Sequence, residues 1–336
     1  MSEKKVLGYA AMEAGKPLEP FEYIQPNLGN HNVRVTVTHC GVCHSDIQAV
    51  DNYYGVTDYP FVPGHEIVGT VSEMGPMVTG LKEGDRVGIG WQGRSCGQCR
   101  GCKKGGEQLC MDIVDCGIWI PFGGMSSSVV VDSRFAHPLP PGIPPQIAAV
   151  LMCAGISIYS PLRNNVSGAG LKTAIVGVGG LGHLAIQFAH AMGCEVTAIS
   201  SSPGKKEQAL GFGADYFIDS NDRADMRKAY YGFDLLVCTA NQGINWEVLL
   251  RTLKKRGRLI LVGFPDLEFN STDLVAHELT ISGSFLGNRS LMREMLAFSQ
   301  EHNITPMVEL MPMSQVNEAF QRVRENKARY RIVLVY

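Results

Sequence analysis

From about residue 155 onward, short apolar runs and helically spaced runs take turns along the chain. That alternation restricts the fold more than any other feature. Residues 174–177 read as a short buried strand, and 181–192 carry apolar residues at helical spacing. The series continues as strand 195–199, helix 205–210, strand 234–238, helix 246–253 and strand 258–262. Strands that alternate with helices build βαβ units and a parallel sheet. The first strand runs into Gly177-Val178-Gly179-Gly180-Leu181-Gly182 and then a helix. This is G-x-G-x-x-G in the strand–turn–helix setting that gives the motif meaning. Its glycines permit a tight turn and let a pyrophosphate approach the helix N-terminus, whose dipole favours anions.

The second strand sharpens the reading. A site for NAD usually offers an acid there for the ribose 2′-hydroxyl. Here the strand enters Ser200-Ser201-Ser202-Pro203-Gly204-Lys205-Lys206, with no acid before Glu207. Hydroxyl donors and ammonium groups suit a 2′-phosphate instead, so NADP(H) is the expected cofactor. A plain helix start with solvated lysines is the alternative.

The first 150 residues have a different character. Residues 33–38, Val-Arg-Val-Thr-Val-Thr, alternate with period two as a half-buried strand does. Further short strands are expected at 66–73, 85–89 and 127–131, and the proline-rich run 138–145 reads as a stiff connector. After about 288 the chain leaves the βα rhythm. Amphipathic helices are expected at 291–300 and 316–323, and a last strand at 331–336. A length of 336 residues fits two domains at about 150 residues each. A hydrophobic content of 45% supports a large core.

Ten cysteines are too few for a disulfide scaffold in a chain this long, but they are clustered. Cys96, Cys99, Cys102 and Cys110 follow the pattern C-x2-C-x2-C-x7-C among glycines. Four thiolates close a tetrahedral structural zinc site and leave no position open for chemistry. An iron–sulfur cluster or two disulfides are the alternatives. A second set is scattered: Cys43-His44-Ser45-Asp46, Gly64-His65-Glu66 and Cys153. Two cysteines and one histidine are the ligands of a catalytic zinc with one open position. Two thiolates and a neutral imidazole balance the ion, so a bound alcohol still loses its proton near neutral pH. Asp46 is suited to accept the second ring N–H of His65. Spacing alone does not join positions 43, 65 and 153. Taken singly, Cys153 reads as a small core residue.

Composition excludes several classes. A net charge of −2 argues against a nucleic-acid binder, and Arg94, Arg100, Lys103 and Lys104 beside the cysteine loop read as a solvated face. There is no uninterrupted apolar run of about 18 residues, so no membrane span is expected. Residues 1–13 do not read as a signal peptide. Cytoplasmic residence with reduced thiols is the default.

Together these motifs resemble the zinc-dependent medium-chain alcohol dehydrogenases, in particular their cinnamyl-alcohol-dehydrogenase-like branch, over nearly the whole chain. The resemblance rests on 40–46, on Gly64-His65-Glu66-Ile67-Val68-Gly69, on the four-cysteine loop, on Cys153-Ala154-Gly155 and on 200–206. It implies an α/β fold in which a Rossmann doubly wound parallel sheet (154–287) is inserted in a GroES-like β-barrel catalytic domain (1–153 and 288–336). It implies two Zn2+ per chain, the catalytic one on Cys43, His65 and Cys153. Ser45 matches the hydroxyl that takes the substrate proton, His44 a cofactor-phosphate contact, and Glu66 a carboxylate near the zinc. Ser201 stands where NAD-using relatives carry their acid. Ser284 resembles the segment that lines the nicotinamide.

The expected reaction is reversible hydride transfer between NADPH and a small or medium aldehyde, in a homodimer joined through the Rossmann sheets. Trp91 and Trp119 are candidate pocket walls, with simple aromatic packing as the alternative. Two departures stand out. Many relatives have a histidine at the outer end of a proton relay where this chain has Gln48, leaving His44 or solvent for that task. The stretch 111–122 is shorter than in cinnamyl-type members, so their specificity is not carried over. The rival readings are a non-catalytic NADPH-binding structural or regulatory relative, a zinc-ribbon module, and a quinone or enone reductase, which typically lacks both zinc sites.

Overall fold

In the computed structural model, which describes residues 4–118 and 122–336, the valines of the expected first strand point into a core. Val33, Val35 and Val37 are buried and Thr36 is exposed in the strand Asn32–Val42. Arg34 breaks the alternation. It is also buried, because its guanidinium donates to Gln25 and to Glu73 Oε2 at 3.1 Å. A buried cation is tolerated where it is paired.

The chain divides into two compact units, Met1–Cys153 with Gly287–Tyr336, and Ala154–Leu286. In the first, Asn32–Val42 lies at the middle of a seven-stranded sheet. It pairs antiparallel with Glu66–Met74 on one side. On the other it pairs with Ser128–Asp132 along its first half and Arg331–Val335 along its last residues. Gly41 faces Glu66 in this register, and a Cβ at Gly41 would lie 2.0 Å from Glu66 Oε2. Glycine there makes room for a buried carboxylate. The sheet continues through Arg86–Ile89 to the two-residue edge strand His137–Pro138, where proline costs no interior hydrogen bond.

The connector 138–145 ends by starting a helix that the sequence reading did not include. Pro145–Val150, a π turn at Leu151–Gly155 and Ile156–Asn165 run on without a break. Proline fits the first helical position, where no N–H is required. By length and composition these 21 residues could cross a membrane, but 72% of their most apolar window is buried inside the protein. It is a core helix.

The second unit is a six-stranded parallel sheet with strand order Tyr216–Asp219, Glu195–Ser200, Lys172–Val176, Phe233–Cys238, Leu253–Leu261, Thr280–Gly283. Numbered along the chain this is 3-2-1-4-5-6, the doubly wound order of dinucleotide-binding folds. Helix Gly182–Ala191 follows the first strand, as its apolar spacing predicts, and helix Lys206–Gly211 follows the second. The expected helix 246–253 stops at Leu250, since Leu253 already pairs with Phe233 in the sheet. The tail contains the two expected helices as Arg289–Glu301 and Val316–Arg324. It adds the strand Val308–Pro312, which runs parallel to Arg331–Val335.

Candidate active site

The local fold around Cys43 explains how distant residues meet. Cys43 ends the strand Asn32–Val42 and caps the helix His44–Val50. Its amide donates to Asp46 Oδ2 at 2.8 Å, so a helix-start carboxylate holds the turn. The other Asp46 oxygen accepts from the Gly64 amide at 3.1 Å and lies 2.7 Å from His65 Nδ1. One buried acid thereby fixes both the helix start and the histidine ring. Cys153 arrives on the π turn, a helical irregularity common at functional sites. The ligand atoms of Cys43, His65, Glu66 and Cys153 all lie within 4.8 Å of one another.

The donor set fits zinc. His65 is fully buried, and its Nε2 has no hydrogen-bond partner among the described residues. Its Nδ1 is committed to Asp46, which aims Nε2 into the cluster. A buried, unpartnered ring nitrogen facing two thiols is expensive unless an ion occupies the space. The electrostatics agree. The hydrogen bond from Cys153 and then the imidazole of His65 hold the Cys43 thiol well below its usual range, against burial. Cys153, facing that charge and buried, is pushed well above it. Burial lifts Glu66 to about 7, opposed by the Arg331 guanidinium that pairs with its Oε1.

Arg331 comes from the last strand and is itself buried. Nothing in the sequence pointed to it. It stands in an ordinary strand pattern, and only the pairing of that strand with Asn32–Val42 brings it to Glu66.

The four cysteines of the loop 96–110 also converge. Cys96 Sγ lies 3.4 Å from Cys110 Sγ and 3.9 Å from Cys102 Sγ. Backbone amides of Gln98 and Cys99 point at Cys96 Sγ at 3.4 and 3.3 Å and draw that thiol down to about 6. Amides directed at sulfur favour the thiolate, which is the metal ligand. The loop is clamped from the tail. Glu107 accepts from the Arg289 amide at 2.8 Å and from its guanidinium at 2.7 and 3.1 Å, and Asn288 donates to the Gly105 carbonyl at 2.6 Å. The remaining cysteines, Cys40, Cys116, Cys194 and Cys238, are buried and unpaired.

The glycine turn fits a phosphate group. Gly177 has φ +93, and a Cβ at Gly182 would lie 1.8 Å from the Gly177 carbonyl oxygen. A Cβ at Gly179 would meet nothing within 4 Å, so this backbone faces open space that a ligand can approach. Gly180 and Leu181 are half-buried at the helix start. Lys205 reaches back to this turn, its Nζ donating to the Val178 carbonyl at 2.7 Å. Ser200 differs from expectation. It closes its strand buried, and its Oγ accepts from the Ser202 amide at 3.2 Å, so Ser201 and Ser202 are the exposed hydroxyls. Ser284 follows the edge strand and donates its amide to Leu261 O at 3.0 Å.

Beside Cys43, His44 is exposed and Ser45 half-buried. The Tyr54 hydroxyl donates to Gln48 Oε1 at 2.8 Å and lies within hydrogen-bonding reach of the Ser45 hydroxyl. Burial lifts Tyr54 above its usual range, so it is a neutral donor at physiological pH. Trp91 is buried, and Trp119 lies outside the described residues.

The family model for the alcohol dehydrogenase GroES-like domain matches residues 29–141, and that for zinc-binding dehydrogenase matches 180–301. An aldehyde reductase, AdhA, of Synechocystis sp. is 38% identical over 98% of either chain. A probable cinnamyl alcohol dehydrogenase of Nicotiana tabacum is 40% identical over 99% of this chain and 96% of its own. The chain belongs to the zinc-binding alcohol dehydrogenase family. A cinnamyl alcohol dehydrogenase structure from Sorghum bicolor superposes on this alcohol dehydrogenase fold with a TM-score of 0.94 at 38% identity, covering 99% and 98% of the two chains. A Helicobacter pylori enzyme complexed with NADP(H) gives 0.92 at 30% identity, covering 99% of both. Both units of this family member thus have solved counterparts.

Proposed function

We propose that this alcohol dehydrogenase transfers hydride reversibly between NADP(H) and an aldehyde or primary alcohol. The observation that carries the reading is the unpartnered, buried Nε2 of His65 facing the thiols of Cys43 and Cys153. Cys43, His65 and Cys153 would hold the catalytic zinc, and Cys96, Cys99, Cys102 and Cys110 the structural one. When bound, the zinc supplies a Lewis acid for the carbonyl oxygen and NADPH supplies the hydride. Asp46 fixes the tautomer of His65, and the Glu66–Arg331 pair places charge behind the ligands. The Ser45 hydroxyl gives its proton to the oxygen of the reduced substrate and recovers it afterwards. His44 and Ser284 would contact the cofactor, and Trp91 a wall of the substrate pocket.

NADP(H) preference is supported by the exposed Ser201 and Ser202, by Lys205, and by the absence of an acid from 200 to 206. A 38% identical relative from Mycolicibacterium smegmatis is an NADP-dependent alcohol dehydrogenase. We place the protein in the cytoplasm on its ten unpaired cysteines. We read it as a homodimer joined at Thr280–Gly283. Among the described residues no strand pairs with the outer side of this edge strand, and Phe264 and Val275 are exposed in the segment that leads to it. A purely structural or regulatory role gives no reason for a three-ligand cluster with an unpartnered nitrogen.

The test is an aldehyde panel assayed with NADPH and NADH, with zinc content and sedimentation measured on the same preparation. Two zinc ions per chain, turnover favouring NADPH, and a dimer are expected. Cys43→Ala should lose one zinc and all turnover while still binding NADPH. Full turnover by that zinc-depleted variant would refute the zinc mechanism, and a monomer would refute the dimer.

A further inference from the structure

Ser45 is half-buried and can give up its proton for only one turnover unless another group returns it. His44 is exposed, and among the described residues it makes no hydrogen bond to Ser45. The Gln48 amide neither takes up nor releases protons at ordinary pH. Tyr54 is half-exposed, its hydroxyl donates to Gln48 Oε1 at 2.8 Å, and the Ser45 hydroxyl lies within hydrogen-bonding reach of the Tyr54 hydroxyl. The phenol is therefore the titratable-type hydroxyl that touches both Ser45 and solvent.

We propose that Tyr54, held by Gln48, is the positioning residue through which Ser45 exchanges its proton with water during turnover. The inference rests on the reading of Ser45 given above. In the reductive direction the Ser45 O–H breaks and its proton passes to the substrate oxygen. The Tyr54 hydroxyl swings from Gln48 and passes its proton to Ser45 Oγ, and water passes one to Tyr54 Oη. Three O–H bonds break and three form, and no electrons leave the relay. The hydroxide left in solvent is neutralised by buffer. Oxidation runs the same steps in reverse. Gln48 acts by orientation alone: its carbonyl oxygen keeps the phenol oxygen beside Ser45 between turnovers.

The experiment compares steady-state aldehyde reduction by the zinc-loaded wild type, Tyr54→Phe, Ser45→Ala and the double variant. Tyr54→Phe should lower the rate at least tenfold, within the range of a lost proton-transfer group, with KM for NADPH within about twofold of wild type. The double variant should be no slower than Ser45→Ala, because both residues serve one relay. Imidazole buffer should restore part of the Tyr54→Phe rate. In wild type, the rate should curve against the deuterium fraction of the solvent, as several protons in flight require. A Tyr54→Phe rate within twofold of wild type overturns the proposal. So do losses that multiply in the double variant, or a linear dependence on deuterium. Wild type that reduces no aldehyde would overturn both this relay and the function it serves, whereas an active wild type with an unimpaired Tyr54→Phe overturns the relay alone.

Discussion

Ser201 sits one residue beyond the strand Glu195–Ser200, exposed, with its carbonyl accepting from Asn221 Nδ2 at 2.8 Å. Its backbone is tied down while its side chain is free to be exchanged. Ser201→Asp should place a carboxylate where a ribose 2′-hydroxyl binds and a 2′-phosphate is repelled. The ratio of kcat/KM for NADPH to that for NADH should fall at least tenfold, equivalent to about 1.4 kcal/mol. An unchanged ratio would reject the account of cofactor choice. The same scale explains what a sequence withholds. Arg331 and Glu66 are 265 residues apart. No local pattern encodes such pairs, because they are products of strand pairing.

At the scale of elements, the helix Arg289–Glu301 begins against the four-cysteine loop. Arg289→Ala would strip Glu107 of its guanidinium partner, at a cost of about 1–3 kcal/mol for a lost charged hydrogen bond. The expected result is faster release of one zinc to a chelator, with the second zinc retained. Equal release rates in variant and parent would show that the loop does not depend on this clamp. The elements most legible in the sequence were those with strong local signals. The βα alternation, the glycine turn and the amphipathic tail helices all appear close to their expected limits. Those that escaped notice lack such signals. The helix starting at Pro145 hides behind a proline run, and its fifth-residue turn at Leu151–Gly155 has no periodicity to read. The strand Lys5–Ala10 alternates in burial but not in residue type, and its partner Glu19–Ile24 in neither, with Leu7 and Ile24 exposed.

For the molecule as a whole, His137 links folding to pH. Burial, aided by the charges of Arg293 and Arg289 and opposed by Glu107, lowers it from 6.5 to about 4. The unfolded chain therefore takes up a proton below pH 6.5 that the folded one refuses until about pH 4. Stability is fully present above pH 6.5 and should fall by about 3 kcal/mol as pH drops to 4. His137→Leu should flatten that part of the curve of urea midpoint against pH. A variant as steep as the parent would assign the slope to other groups.

The central strand Asn32–Val42 finds its last neighbour in Arg331–Val335, after the whole parallel sheet of Ala154–Leu286 has been threaded between them. During synthesis the Rossmann unit is finished first. Until the tail emerges, the edge from His39 to Val42 stays open and Glu66 lacks its guanidinium. The sheet of the first half is therefore closed, and its buried carboxylate neutralised, only by residues translated much later.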